Sequence, residues 1–176
     1  MPIISNTSPL IWLSKIGKIS LLRKLYGEVI IPEEVYKEAV DKGLEDGFSD
    51  ALVIKEGVEQ GWIRISKLNG EEKKLRERMM ERALEIHLGE AGAIILARKT
   101  NSPLLMDESS GRVFAGAWGL RVRGALYVIM KALREELLSK DEAKEATIRL
   151  INTGFRIEPK LLARMLKEIE NFTPQH

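Results

Sequence analysis

Four groups of polar residues stand where chemistry could be done, and their reactive atoms are oxygens and amide nitrogens. A short apolar run over residues 2–5 stops at Asn6-Thr7-Ser8, and a second, Leu104-Leu105-Met106, stops at Asp107-Glu108. Glu90 shares one helical face with Ala93, Ile94 and Ala97, so a carboxylate heads an otherwise apolar stripe. The competing explanation is a first-turn acid answering the helix dipole, worth about 0.3–1 kcal/mol when exposed. Glu33, Glu34 and Glu38 occupy one predicted helix, and periodicity singles out none of them. The chain has no Cys and two His, His87 and His176. Disulfides, thiolate nucleophiles and Cys-based metal centres are thereby excluded, and a His-based triad nearly so. Carboxylate, amide and hydroxyl chemistry remains, and any metal bound there should be hard.

The elements that must position these groups follow from the hydrophobic pattern. The 176 residues, 44% hydrophobic, suffice for one compact domain with a helical appendage. Ile3-Ile4 and Val29-Ile30-Ile31 read as buried strands, with further strands at Trp62 to Ile65, Leu104 to Met106 and Leu120 to Arg123. Thr7 or Ser8 should cap a first helix with Pro9 in its first helical position. A second helix runs from near Ile19 to Gly27, a third opens at Pro32 and should stop at Gly43, and a fourth covers Phe48 to Gly61. Glu71 to Glu85 reads as a solvated helix held by charge pairs three and four residues apart. Glu90 to Lys99 must be buried, Ser109 to Trp118 is helical, and three helices carry the chain to Asn171. Strands alternating with helices predict an α/β fold with a central parallel sheet covered on both faces, and C-terminal helices completing the core or a dimer contact. In such a sheet ligands collect beyond the carboxyl ends of the strands, so Asn6-Thr7-Ser8 and Asp107-Glu108 should face one cleft.

Charge and motif content narrow the functional classes. Lys and Arg number 28 against 26 Asp and Glu, so net charge does not advertise a nucleic-acid binder. Locally, Arg98, Lys99, Arg112, Arg121, Arg123, Lys131 and Arg134 face only Asp107 and Glu108, a surface able to contact phosphates. Trp12, Trp62 and Trp118 could stack bases, although core packing is the better account. Gly89-Glu90-Ala91-Gly92 lacks the lysine and spacing of a P-loop, no G-x-G-x-x-G follows the first strand, and Asn6-Thr7-Ser8 lacks the paired aspartates of a haloacid-dehalogenase phosphatase. No window nears the ~18–20 apolar residues of a membrane span, and the N-terminus lacks a basic segment before a long apolar one. The expectation is a cytoplasmic protein without membrane contact.

SNTSPLI at 5–11, IPEEVYKEAV at 31–40, LGEAGAIILA at 88–97, LLMDESSGR at 104–112, AWGLRVRGAL at 117–126 and GFRIEPKLLARML at 154–166 together resemble PIN-domain proteins, in particular the VapC-like branch of predicted nucleic-acid-binding proteins. The resemblance implies a three-layer α/β/α fold, with residues 1–125 as the PIN-like core and 126–176 as a helical extension packed on it. It implies a Mg2+- or Mn2+-dependent ribonuclease of the toxin type, silenced by a small antitoxin and assembled as a homodimer. The family's acidic positions fall on Asn6, Glu38, Glu90 and Asp107, which would act as metal ligands and catalytic groups. It is the resemblance that selects Glu38. Thr7 and Ser8 match hydroxyl residues that order the first ligand or its water, and Glu108 and Arg112 fit a D-E-x-x-G-R form with a role in positioning substrate or water. Asn6 stands where nuclease-competent members carry Asp, Gly92 where the branch often has a second Glu, and His87 near a position often acidic, so the site should have lost negative charge. A weak or inactive PIN scaffold that binds RNA or protein is therefore the rival reading.

Overall fold

The computed structural model describes residues 2–83 and 85–174; His176 lies outside them. β1 (Ile3–Ser5) leads into α1 (Thr7–Lys15) and α2 (Ser20–Tyr26), followed by β2 (Val29–Pro32). A continuous helical rod follows: α3 (Glu33–Tyr36), a π-helical stretch over Lys37–Lys42, and α4 (Gly43–Glu45). Then come α5 (Ser49–Glu59), β3 (Ile63–Ser66), α6 (Gly70–Arg82), α7 (Leu88–Thr100) and β4 (Leu104–Leu105). The chain continues with α8 (Ser109–Ala117), β5 (Val122–Arg123), α9 (Ala125–Arg134), α10 (Lys140–Asn152) and α11 (Pro159–Asn171). The strands form one sheet in the order β3-β2-β1-β4-β5, and every pairing is parallel.

Alternation along the strands divides the core into two halves. Ile3, Val29, Ile31 and Leu105 join one buried cluster with α1, α2, α5 and the C-terminal helices α9, α10 and α11. Ile4, Ile30 and Leu104 turn to the other face, against Met79 of α6, Ala91 to Ala97 of α7 and Ala115 of α8. This is the three-layer α/β/α arrangement expected from the apolar strands. Trp12 of α1 meets Phe155 edge-on at 5.4 Å between ring centroids, which fixes the α10–α11 connection against the first helix. Trp62 is buried, and Trp118 lies beside Phe114 at 5.5 Å, so the tryptophans serve packing.

Three local expectations are corrected. The helix after β2 does not stop at Gly43, whose backbone is right-handed helical; the turn comes at Gly47, with φ +77°. Gly43 is small for a different reason: a Cβ there would lie 2.8 Å from that of Ala51, so its bare backbone lets α4 and α5 cross closely. Pro9 sits at the third helical position of α1, after Thr7 and Ser8, and Asn6 is the N-cap. The charged helix α6 has no ion pair within itself among the described residues. Instead Arg76 pairs with Glu34 of α3, and Lys99 of α7 with Glu72 at 2.6 Å, so its charges tie it to neighbouring helices.

Gly43→Val should overpack the α4–α5 crossing and cost about 1–3 kcal/mol. Urea unfolding should register that loss, and an unchanged midpoint would show that the crossing has slack.

Candidate functional site

The strand order reverses between β1 and β4, where the chain leaves the sheet in opposite directions and a crevice opens beyond the carboxyl ends. Asn6 follows β1, and its backbone N–H donates to the Leu105 carbonyl at 3.1 Å, which registers it against the end of β4. The Asn6 side chain caps nothing in α1. Its Nδ2 donates to Glu108 Oε2 at 2.8 Å, across 102 residues of sequence. That bond fixes the amide, because the flipped orientation would set a carbonyl oxygen against a carboxylate. Asn6 Oδ1 is therefore left buried and without a partner.

Two further carboxylates are each half satisfied. Glu90 occupies the third position of α7, and its Oε2 accepts the His87 N–H at 2.8 Å, closing the helix end, while Oε1 is buried and unpartnered. Burial pushes the Glu90 carboxyl above its ordinary range, and the charges of Glu108 and Glu38 push the same way. Asp107 Oδ1 accepts the Ala125 N–H at 3.0 Å, and its Oδ2 is buried without a partner. Burial, reinforced by Glu108, raises the Asp107 carboxyl to about 6 against the pull of the Ala125 N–H and Arg112. Glycines make these approaches possible. A Cβ at Gly111 would lie 2.9 Å from Glu90 Oε1, and one at Gly124 would collide with Asp107 Oδ1. Gly124 directly follows β5, whereas Gly111 lies in the first turn of α8.

The structure separates the acids of α3 and its continuation, which periodicity could not. Glu33 pairs with Lys37 and Lys67, and Glu34 with Arg76. Glu38 has no ion pair among the described residues, and its Oε2 lies 3.2 Å from where Gly89 would carry a Cβ, with Thr7 Oγ1 3.8 Å from the same point. Glu38 stands in the π-helical stretch, a distortion that re-aims side chains. The hydroxyls of Thr7 and Ser8, expected to cap α1, are buried without partners. Arg112 Nη1 donates to the Met106 carbonyl at 3.0 Å and braces the end of β4 beside Gly124.

Glu108 is more central than its sequence position suggested: it holds Asn6 and adds its field to both Glu90 and Asp107. Gly92 is explained by packing, since a Cβ there would lie 3.1 Å from that of Pro32 and 3.6 Å from Glu34 Oε2. A glutamate at 92 would thus meet Glu34. The basic stretch does not gather around the crevice as a whole. Arg98 lies two turns beyond Glu90 on α7, with its guanidinium 4.5 Å from the centroid of Trp118, while Lys131 and Arg134 pair with Glu135 and Glu168. Arg112 and Arg123 stay beside Asp107.

Asn6 Oδ1, Thr7 Oγ1, Ser8 Oγ, Glu90 Oε1 and Asp107 Oδ2 are thus buried oxygens without protein partners, contributed by the segments that converge on this end of the sheet. Each unmet group costs roughly 1–3 kcal/mol unless something binds it. Such a donor set suits a hard divalent cation. Among the described residues no three acidic or histidine side chains are grouped closely enough to chelate an ion by themselves. The fit is to an ion that retains waters and takes one or two carboxylates directly, as Mg2+ does.

A family model described as PIN domain matches residues 2–171. The chain belongs to the PIN-domain family. Among solved structures, this PIN domain is similar to VapBC2 from Rickettsia felis bound to a DNA fragment from its promoter, at 15% identity and a TM-score of 0.50, over 70% of this chain and 98% of that one. It is also similar to a PilT N-terminus domain protein from the hyperthermophilic archaeon Sulfolobus solfataricus, at 16% identity and a TM-score of 0.49, over 76% of this chain and 94% of that one. No curated protein gives a significant match. No helix among the described residues is long and apolar enough to cross a membrane.

An acid whose folded pKa lies above its unfolded value holds its proton more tightly when folded. Stability from Asp107 is therefore present at low pH and is lost as pH rises from about 4 to about 6. The difference is about 3 kcal/mol at most. In chelator at pH 8, Asp107→Asn should be the more stable protein by about 1–3 kcal/mol, since asparagine still accepts the Ala125 N–H; near pH 4 the two should converge. Urea melts at both pH values check this, and a variant equally destabilised at both would contradict it.

Proposed function

We propose that this PIN domain is a metal-dependent ribonuclease that hydrolyses phosphodiester bonds of RNA. The observation that carries the reading is the set of buried, unpartnered oxygens of Asn6, Glu90 and Asp107 at the switch point of the sheet. One or two of these carboxylates would bind Mg2+ or Mn2+ directly, and the remaining groups, Glu38 among them, would act through waters the ion retains. When bound, the ion supplies a lowered pKa for a coordinated water and charge neutralisation at the scissile phosphate and its leaving oxygen.

This chain's own groups do the rest. Glu108 Oε2 accepts one amide N–H of Asn6 and so holds its carbonyl oxygen toward the crevice. The His87 and Ala125 N–H groups each hold one carboxylate oxygen and leave the other free. Thr7 and Ser8 offer hydroxyls that would orient a water, and Arg112, braced on Met106, would face a phosphate oxygen. The rival scaffold reading rests on Asn6 and Gly92. Asn6 retains an available oxygen, and the close approach of Pro32 gives Gly92 a packing explanation that does not involve lost catalysis.

Likeness to VapBC2 supports a toxin-type role with a small antitoxin partner. The proposal extends to a cytoplasmic homodimer, with residues 1–125 as the nuclease core and 126–176 as an extension. Leu44, Phe48 and Leu52 are 37%, 53% and 58% exposed on α4, α5 and their connection and offer a face for a second copy. Phe48→Glu should then sediment as a monomer; an unchanged dimer would move the interface elsewhere.

Asp107→Asn should abolish Mn2+-dependent RNA cleavage and Mn2+ binding while the fold persists. Asn6→Asp places a carboxylate against Glu108, so it should lower stability in chelator by about 1–3 kcal/mol and tighten Mn2+ binding. Calorimetry with Mn2+, beside melting curves and a cleavage assay, checks both. Equal Mn2+ affinity in all three proteins would overturn the proposal.

A further inference from the structure

A groove of about 460 Å³ opens directly from Asp107 and runs between β5, the start of α9 and the α10–α11 connection. Its cationic lining is Arg112, Arg123 and Arg156, its aromatic lining Tyr127 and Phe155, and its one acid besides Asp107 is Glu158. The three arginines are exposed, and none has an ion-pair partner among the described residues, so all three guanidiniums are available to a ligand. Resting on the nuclease reading, we infer that this groove is the track for a single strand of RNA, and that the C-terminal segment Phe155–Glu158 supplies one of its walls.

Three features lead to a strand of nucleic acid. Unpaired guanidiniums beside an acidic crevice supply the charge that draws phosphates to a place that would otherwise repel them. The Arg123 guanidinium stacks over Tyr127 at 4.9 Å from the ring centroid, which presents a flat cationic surface that accepts a base face. The volume matches a small organic ligand, on the order of one or two nucleotides, rather than the two strands of a duplex. The backbone that carries Arg156 is anchored from behind: its neighbour Phe155 is wedged edge-on against Trp12, and the Phe155 N–H donates to the Leu150 carbonyl at 3.0 Å. The helix following β1 therefore positions both Asn6 and, through Trp12, the far wall of the groove. An acidic peptide would find the same guanidiniums but would make no use of the stacked Tyr127.

The test is binding of a fluorescently labelled 12-nucleotide single-stranded RNA to the full chain in EDTA, where no cleavage can occur, followed by cleavage with Mn2+. The double variant Arg123→Ala/Arg156→Ala should bind at least tenfold more weakly. The slope of log affinity against log salt should flatten by about 0.7 for each arginine removed, a change that loss of packing alone would not produce. Arg98→Ala, which removes one positive charge from the last turn of α7, away from the groove lining, should bind as the parent does. With Mn2+ the double variant should raise KM and leave kcat within a few-fold. Four results would overturn the inference: unchanged affinity and salt slope in the double variant, an equal loss in Arg98→Ala, equal affinity for a duplex of the same sequence, or a 12-residue polyglutamate peptide that displaces the RNA at equal concentration. The nuclease reading fails separately, if Asp107→Asn cleaves as well as the parent while the arginine variants still lose RNA.

Discussion

Repulsion among carboxylates in a partly desolvated crevice is the constraint on which this site depends. Glu90, Asp107 and Glu108 are brought to one end of the sheet by the parallel pairing of β1 with β4 and by the start of α7, and Glu38 adds its charge from the rod that follows β2. None of the three finds a lysine or arginine ion-pair partner among the described residues. Burial and mutual charge hold Glu90 and Asp107 above their ordinary pKa, so the protein spends stability to keep oxygens unpaired at this place. Glu34, a short way along the same rod, does have an ion-pair partner in Arg76, although its second oxygen is also without a hydrogen bond.

Asn6 makes this arrangement tolerable. An aspartate in its place would put another negative charge against Glu108 and lower the stability of the cation-free protein. The amide does the reverse: one of its N–H groups donates to Glu108 Oε2 and its oxygen is left for a ligand. Under the proposed function, position 6 would trade affinity for a cation against stability without one. Backbone N–H groups play the same part at Glu90 and Asp107, satisfying one oxygen of each and leaving the other. Gly111 and Gly124 let the backbone come close enough for this, so the geometry of the crevice is set as much by missing side chains as by the acids.

The layers and most elements were legible in the sequence because β-branched runs and helical periodicity report burial directly. Ile3, Ile4, Val29, Ile30, Leu104 and Leu105 sit where alternation requires, and α7 is buried from Gly89 to Ala97 as its apolar stripe demands. Helix ends were harder. Gly43 reads as a stop but is a close-packing residue, and Thr7 and Ser8 read as caps while Asn6 takes that place. The pairing of α6 with α3 and α7 was invisible because Arg76 and Glu34 are 42 residues apart. Periodicity could not choose among Glu33, Glu34 and Glu38. Only the tertiary partners of the first two leave the third available. Glu108 was legible as a polar strand-end residue, but its hold on Asn6 spans most of the chain and has no local signal.

Anomalous diffraction from a crystal soaked in Mn2+ tests most directly whether those unpaired oxygens are kept for a hard cation. The account predicts one strong peak in the crevice bounded by Asn6, Glu90 and Asp107, absent from Asp107→Asn crystals treated alike. A crevice without a peak at saturating Mn2+, or an ion bound only at surface carboxylates elsewhere, would contradict it.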